Sequence, residues 1–425
     1  VKKTILTVLL VVCLVSSVSI VGFAQEDVTL RVCWWGSQTR HDLTLEAIKL
    51  FERKNPNIKI RPEYTGWGGY FDRMAAQAAG GGLPDVMQQD YKFFVSYYRN
   101  GLLLDLEPLV GDIIDLSNVD QAAVDSGRVD GVLCALSLGS NTYAAIYDPE
   151  VFAEAGITEP TPDWTWEDYM DICRQIKGKL DIYAGDGLLM ATANISGLEH
   201  YVRQHGQTFY NETNTGLGFE DRLFIEFYEM DMELTKEGVF TSPEIRAERH
   251  TVENDLIVTG KSAMANYWSN QLDAITRAAG RQLKMNIFPN AKNQTQYGHY
   301  LKPSMFWSIT THSEHPEAAA KFIDFFTNDV EANLVLMGER GVPISSKVRE
   351  RMARYLGETQ RQVFSYVDAA AKYCSPIDPP PPDQYNQVID TLEDIHFRML
   401  YGLLTPEEGA REFRSQAERI LAENK

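Results

Sequence analysis

Cysteine is scarce: the 425 residues hold five, and one of them, Cys13, lies in the apolar stretch at the N-terminus. The other four, Cys33, Cys134, Cys173 and Cys374, are far apart and form no CxxC pair. That spacing argues against a disulfide framework and a cysteine metal site; buried thiols acting as small hydrophobes are expected, with one unassignable bridge left open. Histidine is scarce as well, with eight in the chain. His200 and His205 lack a third ligand and are expected to be ordinary surface or core residues. HExxH, GxSxG and P-loop patterns are all missing, so the common hydrolase and nucleotide signatures have no footing. Positive charge is short too. Forty Lys and Arg face 59 Asp and Glu for a net charge of −19, and a field of that sign repels nucleic acid and anionic lipid. Past the N-terminus no run reaches the roughly 18 apolar residues of a membrane helix.

The N-terminus does carry a signal. Lys2 and Lys3 precede an apolar stretch over 5–21, and Gly22 and Ala24 sit at positions −3 and −1 of a cleavage site. Residues 1–24 therefore read as a signal peptide, with the mature chain starting at Gln25 outside the cytoplasm, periplasmic or at the cell surface. A retained anchor is the weaker reading, because Ser16, Ser17 and Ser19 interrupt the stretch. Lipidation is weaker too, because Cys13 follows Val12 rather than a small residue at the cut. About 400 residues then remain, too many for one typical core, and two domains are expected.

The mature chain opens with strand and helix in alternation. A strand over 30–34 is followed by a helix over 40–54, whose Leu43, Ala47, Leu50 and Phe51 share one face. Asn55-Pro56-Asn57 stops it, and Ile58 and Ile60 alternate with charges as a second strand. A loop at 66–69, a helix over 70–79, a glycine stop and a strand over 85–88 complete a doubly wound α/β pattern. Two apolar strands flank Gly139-Ser140-Asn141 and read as a ribbon passing between domains. The middle is mainly helical, with Thr165 and Asp168 as a capping pair. A strand passage at 284–288, a helix over 316–327 and a helical last hundred residues follow, broken by Pro376 and by the proline run 379–382, read as a loop or brace.

The residues at strand ends and loops point to a flat ligand with hydroxyls. Sugars present apolar C–H faces ringed by hydroxyls, and a site for them combines aromatic surface with polar groups. Trp35, Trp67, Tyr70, Tyr91, Trp268 and Trp307 are the candidate platforms; Arg40, Gln89, Asp90 and Asn141 are the candidate polar partners. Trp34 alternates with Trp35 along one strand, so only one faces a cleft, and Trp35 lies nearer the strand end. Trp164 and Trp166 look structural. Asp85 and Asp90 could form a hydrolytic carboxylate pair, but Asp85 opens a strand and reads better as a turn or cap residue. No catalytic residue, metal ligand or cofactor is assigned.

Several stretches together carry a family resemblance. They are Val32-Cys33-Trp34-Trp35-Gly36, the run from Phe51 through Asn55-Pro56-Asn57 to Ile60, Gly80-Gly81-Gly82-Leu83-Pro84-Asp85-Val86, and Tyr147-Asp148-Pro149 through Gly156-Ile157. Trp164-Thr165-Trp166-Glu167-Asp168, Gly260-Lys261-Ser262-Ala263-Met264, His315-Pro316-Glu317-Ala318-Ala319 and Gly341-Val342-Pro343 continue the series. In order and spacing the chain resembles the family 1 extracellular solute-binding proteins of bacterial ABC sugar importers, the maltose-binding-protein-like group. The resemblance implies a two-lobed periplasmic-binding-protein-like α/β fold of type II whose chain crosses a hinge three times. Mapped here, the N-terminal lobe is 27–138 with 284–327, and the C-terminal lobe is 139–283 with 328–425. It also implies a ligand held between lobes, closure that presents both lobes to a transmembrane permease, no bond chemistry and a monomer. Trp268 is the nearest match to a ligand-stacking aromatic.

At 301–307 the chain departs from the glycine- or serine-rich stretch of many relatives, and Trp307 there adds a platform or narrows the cleft. Several aromatic rings suggest an oligosaccharide, with plant cell-wall sugars preferred and a uronic sugar implied if Arg40 faces inward. Two rivals remain: a secreted polysaccharide-active enzyme with an aromatic cleft, and a receptor for a peptide or polyamine.

Overall fold

The computed structural model describes residues 27–188, 196–248, 252–382 and 384–422. The signal-peptide reading and Cys13 lie outside the described residues. Among those described, no helix is long and apolar enough to cross a membrane, and Cys33, Cys134, Cys173 and Cys374 are free thiols, three of them buried.

Two sheets organise the chain. In the first, β1 (Val28–Trp35) lies between β2 (Ile58–Thr65) and β3 (Val86–Gln89), all parallel, with Val28 opposite Ile58 and Trp35 opposite Thr65. The strand Phe306–Ile309 adds antiparallel to β3, and Leu136–Ser137 closes the edge. The last four residues of β1 are all buried, as expected of a central strand covered on both faces. The helix Gln38–Lys54 starts at Ser37, whose hydroxyl accepts from the Arg40 N–H, and ends at Asn55, whose N–H returns to the Phe51 carbonyl. Its inner face carries Ala47, Ile48 and Phe51. The Phe51 ring meets Phe322 and Phe325 edge-on, each at 5.3 Å, so the early helix and the helix Pro316–Asn328 share one core.

The second sheet is antiparallel, with Tyr143–Tyr147 between Met264–Trp268 and Lys284–Asn286. The helix Trp166–Lys179 packs near it, begun by the expected capping box: Thr165 accepts from the Asp168 N–H while Asp168 accepts from that of Thr165. Trp164 and Trp166 are buried. The helix Asp221–Lys236 packs with Tyr385–Leu400 and Pro406–Ala422. At its centre the buried Asp231 carboxylate takes Arg246 at 2.6 Å and His396 at 3.0 Å. It is held well below the usual carboxylate range despite its burial, chiefly by the Arg246 charge and the His396 hydrogen bond.

The connection between the lobes is where the expected boundaries need correction. Lys284–Asn286 pairs with Tyr143–Tyr147, so this passage belongs to the second lobe rather than opening a return to the first. The return comes later, at Lys302–Pro303, which pairs with Ser140–Asn141. Val342 bridges Ser140 on the last passage. The three crossings thus run side by side at 140–141, 302–303 and 342. The helix Val330–Leu336 also stays with the first lobe, because Ala332 and Leu336 pack into its core beside Ala47 and Ile48. Gly341 at φ +102° makes the last turn: a side chain there would be strained and would crowd Asn141 Oδ1 at 3.0 Å.

Candidate ligand-binding cleft

Antiparallel pairing sets Tyr143 directly opposite Trp268 at the end of the second sheet. Cross-strand partners share a sheet face, and the two rings meet at 4.0 Å between centroids. Tyr300 approaches Tyr143 edge-on at 5.5 Å. These rings form one wall of a cavity of about 300 Å³, which Glu199, the loop Thr208–Asn214, Lys302, the proline loop and Tyr385 extend. The first lobe supplies Tyr91 and Lys92 from the turn after β3.

A small polar network stands behind the rings. The Tyr143 and Tyr300 hydroxyls lie 2.8 Å apart, and both reach Glu199 Oε2, at 3.3 and 3.4 Å. Burial, aided by the nearby Asp378 charge, pushes the Glu199 carboxyl up to about 7; Arg203 and the two phenols oppose this. One helical turn on from Glu199, the fully buried Arg203 fixes the proline loop. Its Nε donates to the Gly298 carbonyl at 2.9 Å, and its Nη2 donates to Ser375 Oγ at 2.6 Å and to the Pro376 carbonyl at 2.7 Å. Its Nη1 donates to Asp378 Oδ1. The loop is thereby set as the cavity's edge, with Ile377, Asp378, Pro379 and Pro381 on it. Tyr91 reaches it from the other lobe, donating to the Asp378 carbonyl at 3.0 Å. The Lys92 ammonium lies 4.2 Å from the Tyr385 ring centroid, and that of Lys302 lies 5.1 Å from Trp268.

Of the ten expected contact residues, Tyr91 and Trp268 line this cavity. The other eight are placed elsewhere. Trp35 is 6% exposed and packs among Trp67, Tyr70 and Phe71. Tyr70 is fully buried, its hydroxyl donating to the Gln88 and Cys33 carbonyls. Trp307 is fully buried between Phe322 and Phe326, so it neither adds a platform nor narrows the cleft. Arg40 does not face inward. It pairs with Glu339 at 2.8 Å and its Nη1 reaches the Trp35 carbonyl, tying the first lobe to the segment before the last crossing. Asp90 closes its own turn by accepting from the Lys92 N–H at 3.0 Å. Gln89 is buried opposite Phe306, and Asn141 is buried in the crossing opposite Lys302. Trp67 is half-exposed against Trp35 and Phe71, outside the cavity. Asp85 is a structural carboxylate, but instead of the expected turn or cap it accepts from the Arg31 N–H on β1 and from the Ser313 hydroxyl.

Tyr143, Glu199, Tyr210, Tyr300, Lys92, Lys302, Asp378 and Tyr385 were not anticipated as lining residues. Their available signals were slight: the proline run read as a brace, and Tyr143 and Lys302 flanking the ribbon and the late passage.

Comparison with known proteins agrees with this architecture. Residues 36–332 match the family model described as bacterial extracellular solute-binding protein. The structure is similar to a family 1 extracellular solute-binding protein from Alicyclobacillus acidocaldarius, with 32% identity, 94% of this chain and 99% of that one covered, and a TM-score of 0.81. It is also similar to a periplasmic oligogalacturonide-binding protein from Yersinia enterocolitica, solved with saturated digalacturonic acid: 25% identity, 93% and 98% covered, TM-score 0.75. A Brucella abortus protein described only as a binding protein is 21% identical over 387 residues, 88% of this chain and 89% of that one.

Proposed function

The chain belongs to the bacterial extracellular solute-binding proteins, and we propose that it is a carbohydrate receptor that captures an oligosaccharide between its lobes and hands it to an ABC transporter permease. The observation that carries this is the wall of Tyr143, Trp268 and Tyr300 backed by hydrogen-bonding groups. Rings offer a pyranose the flat apolar surface its C–H face needs, while Glu199, Asn211 and Asn214 offer partners for its hydroxyls. The oligogalacturonide-binding relative supports the same ligand class.

Capture works by a shift of population. Tyr91 and Lys92 stand on one lobe and Trp268 and Glu199 on the other. A sugar touching both sets binds the closed form better than the open one, and its differential affinity sets how far closure goes. No covalent step is needed.

The test is a thermal-shift and calorimetric screen of the mature protein against neutral and acidic oligosaccharides, peptides and polyamines. A true ligand at 100 times its Kd stabilises the fold by about 2.7 kcal/mol, is recovered intact, and loses affinity when Trp268→Ala removes the platform. Stabilisation by a peptide or polyamine with none by any saccharide would sink the reading. Shortened sugars would favour the enzyme.

A further inference from the structure

Two cations, Lys92 and Lys302, line the cavity. Among the described residues neither Lys92 nor Lys302 has a carboxylate within 4.0 Å; each ammonium instead rests against a ring, Tyr385 for Lys92 and Trp268 for Lys302. Both side chains are partly buried; burial lowers the basicity of Lys92, the Asp90 charge raises it, and Lys302 lowers it to a smaller extent. Placing two like charges together in a shielded site is costly unless something of opposite sign enters. The acids nearby do not close an ion pair with either: Asp90 acts on Lys92 at longer range and accepts from its backbone N–H, Asp378 is held by Arg203, Glu199 by Tyr143 and Tyr300, and Glu212 stands exposed at the rim.

We propose that Lys92 and Lys302 read a carboxylate on the bound sugar, which makes the ligand an acidic oligosaccharide of the uronic class. The inference rests on the oligosaccharide reading and names the substrate class of the same cleft. Arg40, which the sequence offered for this task, is committed to Glu339. Lys92 stands after β3 on the first lobe and Lys302 on the second crossing. A carboxylate held by both therefore joins the first lobe to the crossing. The aromatic ring beneath each ammonium also holds it at the cavity.

Calorimetric titration of the wild type, K92M and K302M with digalacturonate and with neutral digalactose decides the matter. Wild type is expected to prefer the acid at least about 10-fold. Each methionine variant should weaken the acid about 10- to 100-fold, the range of one charged hydrogen bond, lower its preference over the neutral disaccharide accordingly, and keep the wild-type melting temperature. Affinity for the acid should also fall as salt is added. Retention of acid binding in both variants, or a wild-type preference for the neutral disaccharide, overturns the proposal while leaving the oligosaccharide reading in place. A hexose phosphate that binds where digalacturonate does not overturns the carboxylate assignment alone. Failure of every saccharide overturns both readings together.

Discussion

The Tyr91 hydroxyl, carried by the first lobe, donates to the backbone carbonyl of Asp378, carried by the second, at 3.0 Å. This contact crosses the cleft and needs no ligand. In the closure proposed above it serves as a latch between the lobes. Tyr91→Phe removes the donor, and because a neutral hydrogen bond is worth about 0.5–1.5 kcal/mol, ligand affinity should fall roughly 2- to 10-fold. Thermal unfolding without ligand should barely move, since the core of neither lobe is touched. Affinity unchanged by titration would mean that the contact adds nothing to closure.

Arg203 holds the other half of that latch. Its guanidinium is wholly buried and spends its donors on Gly298, Ser375, Pro376 and Asp378. Arg203→Met deletes the charge while keeping most of the length, leaving the part-buried Asp378 carboxylate and two carbonyls without their partner. Loss of one member of a buried pair costs about 3–5 kcal/mol; the exposed edge of Asp378 places the expectation at the lower end. Urea unfolding should show that loss, and proteolysis should cut within the proline loop at 376–382. A loop that stays protected would show that the prolines hold themselves.

Trp307 and Trp268 make a matched pair of controls. Trp307 is sealed between Phe322 and Phe326, so Trp307→Ala should cost about 3–5 kcal/mol and leave the ligand affinity of the folded fraction unchanged. Trp268 should behave the opposite way, with modest loss of stability and severe loss of affinity. Denaturant midpoints and titrations on the same preparations separate the two, and an affinity defect in the Trp307 variant would return that residue to the site.

The contrast also marks what was readable in the chain. Alternating strands and helices, the stop at Asn55-Pro56, the Thr165 cap and the helix from Pro316 follow local rules, and each is in place. Lobe boundaries obey pairing over more than a hundred residues: nothing local in Lys284–Asn286 states that its partner is Tyr143–Tyr147. The burial of the candidate residues was illegible for a related reason. A tryptophan at a strand end is equally suited to a cleft or to a core, and Trp35 found Trp67, Tyr70 and Phe71 as neighbours. Trp268 and Tyr91 do line the cavity, whereas Glu199, on a helix with ordinary amphipathic spacing, acquires its character only from Tyr143 and Tyr300.

Glu199 gives the clearest pH signature. Its carboxyl is pushed up to about 7 from an ordinary 4.5, foremost by burial and then by Asp378. The folded protein therefore binds this proton more tightly than the unfolded chain, and the group's stabilising contribution is complete below pH 4.5 and lost as the pH rises through about 7. Glu199→Gln keeps an oxygen to accept from the two phenols and removes the titration. Relative to the variant, wild type should lose on the order of 2–3 kcal/mol between pH 4.5 and 8. His200, buried and pushed down to about 3, moves the other way, since its contribution is lost as the pH falls below 6.5; it is common to both proteins and cancels in the difference. Unfolding free energies measured for the pair across this range should therefore diverge with rising pH. Parallel curves would place the Glu199 carboxyl in ordinary contact with solvent and remove it from the network behind the rings.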